Sequence, residues 1–273
     1  MNVALWRKAL SDSWRQLVLS SVLLILFTWV FIWLMSQIPT EGFATLLQLI
    51  PGPLKSLIPV KIPELATRTG QLTILYIHVI TLLVCVGWAV GRGSDSISGE
   101  IARGTMDLLL SLPVRRVWVM VIPAVVATCG AAVLAASLLC GTAIGLATVP
   151  FSDRASTWQF LPGAINLFAM TFCLTGITTL VSSWNRDRWR TIAISVGFFV
   201  FSFILEMIRR VWQYGGWLTY CTFLSAFQPQ ELILDGDAAS RALWYNGTLL
   251  GLGVLSFIAG GIVLARRDIP PAR

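Results

Sequence analysis

At 273 residues, 56% of them hydrophobic and 12% charged, the chain carries far less charge than a soluble domain, where about a quarter of residues are charged. Such a composition belongs to an integral membrane protein, and several membrane spans leave no length for a second folded soluble domain. The formal charge of +7 does not indicate nucleic acid, because the basic residues sit in short segments beside apolar runs and form no separate basic domain.

Residues 1–16 open the chain with an amphipathic pattern. Arg7, Lys8, Ser11, Asp12 and Arg15 fall on one helical face, and Leu5, Trp6, Ala9, Leu10 and Trp14 largely on the other. A basic face opposite Trp and Leu suits a helix lying in the membrane interface. The apolar run Leu17–Met35 that follows exceeds the 7–15 residues of a signal core and has no small-x-small site after it, so it reads as a retained first span. Six spans account for the remaining pattern, at 17–35, 72–91, 117–143, 161–184, 191–208 and 243–265, since about 20 apolar residues cross the hydrocarbon.

The loop Ser36–Gln71 holds five prolines (Pro39, Pro51, Pro53, Pro59, Pro63) and cannot be one continuous helix. In the second span His78 is the one titratable group deep in an apolar stretch; without an acidic partner in sequence it reads as a hydrogen-bonded packing residue rather than a proton relay or ligand. Gly91-Arg92-Gly93-Ser94 reads as a helix-ending turn.

Between the second and third spans lies Gly99–Arg116, GEIARGTMDLLLSLPVRR. At helical spacing Glu100, Arg103, Gly104, Asp107 and Ser111 share one face, while Ile101, Thr105, Leu108, Leu109 and Leu112 share the opposite one. Ser98 is placed to cap this helix, Glu100 favours its positive end, and Pro113 breaks or restarts it. Spacing alone leaves two readings: a helix resting on lipid, or a handle gripped by a soluble partner.

The third uncharged run is long enough to predict a tilted or extended helix, with Pro123 able to kink it and Gly141 and Gly145 loosening its far end. In the fifth, Glu206, Arg209 and Arg210 at i, i+3 and i+4 are spaced to pair. The uncharged run Trp217–Phe227, bounded by Gly215-Gly216 and Gln228-Pro229, has the length of a re-entrant or interfacial segment. With both termini inside, the interior segments hold most of the Lys and Arg, and the others lie mainly on long loops that weigh less. Trp33, Trp88, Trp118, Trp184, Trp189 and Trp244 fall near span ends, where indole prefers the headgroup zone. Cys85, Cys129, Cys140 and Cys173 read as small buried hydrophobes, and Cys221, alone on the outside, has no partner for a disulfide.

The chemistry missing from the sequence narrows the function. No Asp, Glu, Lys or Arg falls in the middle of a predicted span, which removes the usual machinery of ion-coupled transport. The chain has a single His, no G-x-S-x-G, no C-x-x-C and no G-x-x-x-x-G-K-[ST] loop. It is therefore expected to have no catalytic, metal-binding or cofactor-binding residues, and to be unable to hydrolyse ATP by itself. The Ser and Thr of the spans (Ser137, Thr171, Thr175, Thr178, Thr179, Ser195) read as helix-packing groups or a soft polar lining.

The order of residues in the loop adds a resemblance. Glu100, Arg103-Gly104-Thr105, Asp107, Leu109-Leu110, Pro113-Val114 and Arg116 closely resemble the first cytoplasmic loop of type 2 ABC export permeases, the membrane-spanning subunits of ATP-binding cassette transporters. Ala265-Arg266-Arg267-Asp268-Ile269 is similar to the Arg-Arg-Asp terminus common in them, and Leu224-Ser225-Ala226-Phe227 is a weaker likeness. Members often carry a Lys about one turn into the third span, and Val119–Ala124 has none.

The resemblance implies an all-α integral membrane protein: one permease domain over 1–273, six transmembrane helices, an N-terminal interfacial helix at 1–16, a cytoplasmic coupling helix within the loop 94–116, and exterior loops at 36–71 and 209–242 with a re-entrant hairpin. It implies that Glu100, Arg103, Gly104, Thr105, Asp107, Leu108, Leu109, Leu112, Pro113 and Arg116 engage an ATPase subunit, which binds the ATP and Mg. The interfacial helix (Trp6, Arg7, Lys8, Leu10, Trp14, Arg15) would meet lipid and border that subunit. A second permease copy, identical or a sister chain, would complete the pathway in the cell (inner or plasma) membrane, with both termini cytoplasmic. An uncharged path suits export of a hydrophobic or amphipathic molecule. A structural or scaffolding membrane protein, or an intramembrane enzyme, are the alternatives from other classes.

Overall fold

Long runs of strong helix formers with few breakers give helices, and the computed structural model, which describes residues 3–40, 42–43, 45, 49, 51, 62–106, 116–150, 155–212, 214–235 and 238–266, is predominantly helical there. Six helical stretches are long and apolar enough to cross a membrane, and no strand occurs among the described residues. Only helices that satisfy their own backbone groups can cross lipid in this way.

The first, α1 (Val3–Ser36), is one unbroken helix. The expected division into an interfacial helix at 1–16 and a span at 17–35 is not seen, because Ser11–Leu17 contains neither Gly nor Pro to end a turn. At about 1.5 Å per residue such a helix is roughly 50 Å long, so its basic first turns extend beyond a hydrocarbon layer of about 30 Å.

A short helix α2 (Ile62–Leu65) leads into the second crossing, which is split in two: α3 (Arg68–Ile77) and α4 (Val79–Ser94). His78 interrupts them in an extended conformation, φ −63° and ψ 142°. Its Nδ1 accepts a hydrogen bond from Ile80 N–H at 3.3 Å, and Thr81 Oγ1 donates to the freed Leu75 carbonyl at 2.7 Å. The ring packs against Phe27 and Phe31, with centroids 4.8 and 5.8 Å away. Neither Gly nor Pro marks this break in the sequence.

The chain then continues as a single-turn π-helix (Asp95–Gly99), α5 (Glu100–Ala102), α6 (Arg116–Thr148, with Pro123 inside), α7 (Leu161–Trp184), α8 (Arg188–Val211), α9 (Pro229–Leu234) and α10 (Ala238–Arg266). The expected outer loops are therefore shorter than 36–71 and 209–242: α3 already begins at Arg68, α8 runs to Val211, and α10 starts at Ala238.

The core forms around α7, which is buried on several sides. Its Thr171, Thr175 and Thr179 hydroxyls each donate to the carbonyl four residues back, so these groups are satisfied within the helix. Gly176 and Gly253 bring α7 and α10 together: a Cβ at Gly176 would lie 2.6 Å from the Gly253 carbonyl oxygen.

Trp88 corrects an expectation. It is fully buried and is not a headgroup residue; its indole N–H donates to the Ala127 carbonyl at 2.9 Å, and its ring lies over Gly130 of α6. The other five indoles near span ends (Trp33, Trp118, Trp184, Trp189, Trp244) are exposed. All five cysteines are free; Cys85 and Cys173 are buried as expected, but Cys129 and Cys140 are on the protein surface.

Helix α8 is apolar outward and polar inward. Thr191, Ser195, Ser202 and Glu206 are buried, while Ile194, Phe198, Phe201 and Ile204 are exposed. Water would favour the opposite arrangement, so this surface suits an apolar surrounding. The run 217–228 folds as two 3-10 turns, Gly215–Tyr220 and Phe223–Ala226. Thr222 Oγ1 donates to the Ser202 carbonyl at 3.1 Å, Asn166 Nδ2 donates to the Ala226 carbonyl at 3.0 Å, and Phe223 stacks on Phe198 at 5.6 Å.

Candidate functional site

Gly93 packs against α7, since a Cβ there would lie 2.6 Å from the Thr178 Cβ, and α4 passes straight through Gly91–Ser94. The helix-ending turn read at those residues is absent. The helix instead widens into the π turn, where a side chain on Gly99 would collide with Asp95, its Cβ 2.6 Å from Oδ1. Ser98 does not cap a helix N-terminus. Its Oγ donates to the Ser94 carbonyl at 2.8 Å and accepts from Thr191 Oγ1 of α8 at 3.0 Å, while its N–H donates to Ser182 Oγ of α7 at 2.9 Å.

The helical run ends at Ala102, two residues after Glu100. Gly104 has φ +69°, the Gly104 N–H donates to the Ile101 carbonyl at 3.0 Å, and the Thr105 N–H donates to the Glu100 carbonyl at 3.1 Å. That pair of bonds is a Schellman cap with glycine in its left-handed position. The expectation of one amphipathic helix from Glu100 to Leu112 therefore fails at its start: Gly104 terminates a helix and does not sit on its face. Asp107, Leu108, Leu109, Leu112 and Pro113 lie outside the described residues, and Arg116 is the first residue of α6.

Glu100, placed by helical spacing on the polar face with Arg103 and Asp107, is buried, 6% exposed. Its Oε1 accepts from Lys8 Nζ of α1 and from Arg103 Nη2 at 2.6 Å, and its Oε2 accepts from Thr105 Oγ1 at 2.6 Å. Arg103 reaches a second carboxylate, with Nη1 donating to Asp95 Oδ1 at 2.6 Å. Burial works against the Arg103 charge, but the hydrogen bonds to Asp95 and Glu100 outweigh it and hold the guanidinium above its ordinary range. Asp95 also faces Arg188 Nη1 at 3.5 Å and Arg92 Nη1 at 4.0 Å. On the apolar side Ile97 and Met106 are buried with Val119, Met120 and Leu264, with Ile101 packed against them. The turn is thus anchored on both sides.

A cavity of about 50 Å³, bordered by Lys8, Asp12, Ser13, Arg92, Asp95 and Glu100, lies beside the cluster. It has room for ordered water among polar groups. The cluster offers no nucleophile with a base, and no group of three metal-ligating side chains occurs among the described residues. What it can do is mechanical: two carboxylates and four cations clamp a turn to α1, α4 and α8.

At the opposite end Glu206 accepts from Arg209 Nε and Nη2 at 2.8 and 2.6 Å and from Arg210 Nε at 2.8 Å, the pairing its spacing predicted. Glu206, Arg210 and Gln228 border a cavity of about 260 Å³ whose other walls include Phe199, Phe203, Leu224 and Phe227.

A family model described as ABC-2 family transporter protein matches residues 3–233. The chain belongs to that family. No curated protein matches it. With six helices among the described residues long and apolar enough to cross a membrane, this ABC-2 chain is a multi-pass membrane protein and the transmembrane component of a transport system. Permeases of this family pair in general with an ATP-binding cassette ATPase.

Of the coupling residues read from the sequence of this permease, Glu100, Arg103, Gly104 and Thr105 come together in one turn. Of the N-terminal group only Lys8 joins them; Arg7, Leu10, Trp14 and Arg15 are exposed, with Arg15 lying over the Trp14 ring at 5.7 Å, and Trp6 is half-buried. Asp95 and Arg188 were missed. On a regular α-helix, residues five apart point about 140° from each other, and the extra residue of the π turn is what lets one arginine reach both Asp95 and Glu100. Nothing local in the sequence announces that turn.

Proposed function

We propose that this permease is the membrane-spanning subunit of an ATP-driven exporter, and that the turn Glu100–Thr105 is where it takes up the movement of a separate ATPase subunit. The observation that carries this reading is the buried Glu100 carboxylate, fixed by Lys8, Arg103 and Thr105 at the base of a glycine-capped turn. A loop on such a base moves as a lever, because displacing it strains ion pairs that are costly to break once desolvated. ATP and Mg are bound by the ATPase, and this chain binds neither. The chain itself catalyses nothing.

A second permease copy, identical or related, completes the pathway, and lipid surrounds the exposed apolar face of α8. Both termini are cytoplasmic and the membrane is the cell membrane, a reading supported by the bias of basic residues toward the end that carries Lys8, Arg92, Arg103 and Arg188. The segment 217–228 enters the outer leaflet as a re-entrant element. The cargo is hydrophobic or amphipathic. Supporting this are the lack of unpaired charge among the walls of the 260 Å³ cavity and its three phenylalanines, Phe199, Phe203 and Phe227.

The test is reconstitution of the chain with candidate ATP-binding cassette subunits from the same genome. Substrate-stimulated hydrolysis by amphipathic compounds is expected. Stimulation by a small hydrophilic ion alone would contradict the cargo reading, and failure to form a complex with any ATPase would leave a structural role.

A further inference from the structure

Asp95 lies outside the stretch that engages a partner, yet it is the point at which three elements meet. Its Oδ1 accepts from Arg103 Nη1 at 2.6 Å and faces Arg188 Nη1 at 3.5 Å, and its Oδ2 faces Arg92 Nη1 at 4.0 Å. Arg103 belongs to the helix-ending turn, Arg92 to α4, and Arg188 is the first residue of α8. A cation at that position opposes the positive end of the helix dipole, and Asp95 offsets the conflict. Asp187 caps the same helix end by accepting from Trp189 N–H at 2.9 Å.

A neutral link runs parallel to the ionic one. Thr191 Oγ1, one turn into α8, donates to Ser98 Oγ at 3.0 Å, and Ser98 is bonded in turn to Ser182 of α7. Both links leave from the same π turn. Such turns carry one residue more than the α-helix accommodates and recur at functional sites. Gly99 is what makes room here, because a side chain in its place would meet the Asp95 carboxylate.

We propose that Asp95 is a positioning residue that passes displacement of the Arg103–Gly104 turn to α8, so that α8 is the first membrane-crossing helix to move when the turn is pushed. Pulling on Arg103 acts directly on Asp95, and Asp95 acts on the first turn of α8 through Arg188. Helix α8 then carries its buried polar face (Thr191, Ser195, Ser202, Glu206) with it, and at its far end the Glu206–Arg210 pair beside the larger cavity. The movement is thereby delivered along one helix from one side of the bundle to the other. The purpose of that movement rests on the exporter reading; the mechanical link itself does not.

Hydrogen–deuterium exchange on the full chain in lipid nanodiscs, without any ATPase, tests the link. Arg103→Gln is expected to raise exchange in residues 188–195 severalfold and to leave 250–262 of α10 unchanged. In an Asp95→Asn background the same Arg103→Gln change is expected to add nothing, and Arg188→Gln should behave as Asp95→Asn does. Unchanged exchange at 188–195 in Arg103→Gln, or an equal rise in α10, would overturn the proposal, and so would additivity of the two substitutions. A second arm uses the complex with its ATPase and spin labels at positions 211 and 239. The ATP-dependent change in their separation is expected in the parent chain and is expected to be lost in Asp95→Asn. If Asp95→Asn lowers thermal stability but keeps that change, the residue is only structural and the proposal fails. A positive exchange result with no ATP-dependent change in the parent chain would leave the link standing and remove the exporter reading.

Discussion

Lys8 in the second turn of α1 and Glu100 at the start of the helix-ending turn form an ion pair across 92 residues of sequence. The carboxylate is nearly enclosed while the ammonium is more than a third exposed. The energetics are therefore asymmetric. Losing the lysine leaves Arg103 and Thr105 to satisfy Glu100, whereas losing the carboxylate deprives Lys8 and Thr105 of their acceptor and leaves Arg103 with Asp95 alone.

Glu100→Gln is accordingly expected to destabilise the chain by about 1–3 kcal/mol, the range for leaving buried polar partners imperfectly satisfied. Lys8→Met should cost less, about 1 kcal/mol or below, because solvent screens an exposed partner. Thermal unfolding in nanodiscs measures both. A lysine variant as damaging as the glutamine one would contradict the assigned asymmetry.

Gly104 tests the cap. An L-residue held at φ +69° costs about 1–2 kcal/mol, so Gly104→Ala should lower stability by that order. Gly104→Asn should cost less, since asparagine tolerates the left-handed region. The space around Gly104 is open, so strain and not collision sets the order. Equal stability of all three would show that the turn is not fixed as described.

Gly130 and Gly197 make a matched pair. Trp88 lies where a Cβ on Gly130 would go, while nothing lies within 4 Å of one on Gly197. Gly130→Ala should destabilise by about 1–3 kcal/mol through overpacking, and Gly197→Ala should be neutral or stabilising by up to about 1 kcal/mol. Trp88→Phe, which leaves the Ala127 carbonyl without its indole donor, should cost about 1 kcal/mol. The reverse order for the two glycines would contradict the buried position of Trp88.

These comparisons mark what the sequence can and cannot express. Uncharged runs long enough to cross lipid are a property of composition, and 161–184 is recovered as helix α7 with those limits. The Glu206–Arg210 pairing is equally legible, because i, i+4 spacing is enough to make it. His78, Trp88 and Glu100 were harder. Trp88 is a core residue because α6 presents Gly130 to it, and Glu100 is buried because α1 does not stop at residue 16 and brings Lys8 alongside. Both facts depend on partners distant in sequence. The interfacial segment and the Gly99–Arg116 helix were each read as independent units, and tertiary packing joined the start of one to the start of the other.

Orientation is tested by labelling single cysteines in a chain depleted of Cys129, Cys140 and Cys221, which are exposed. Thr105→Cys should react with an impermeant reagent only in inside-out vesicles, and Asp235→Cys only in intact cells. Outside labelling of position 105 would reverse the topology and separate the turn from any cytoplasmic ATPase.

The most direct measurement is the ATP hydrolysis rate of a candidate ATP-binding cassette subunit from the same genome in proteoliposomes, alone, with this permease, and with its Glu100→Lys variant. The parent chain should bind the subunit and change its rate severalfold. The variant should insert into the membrane normally, because a carboxylate at the turn is not needed for the six crossings, and should leave the rate at that of the free subunit. Hydrolysis by this chain purified alone, or a variant that binds and stimulates as fully as the parent, would contradict the role assigned to the Glu100–Thr105 turn.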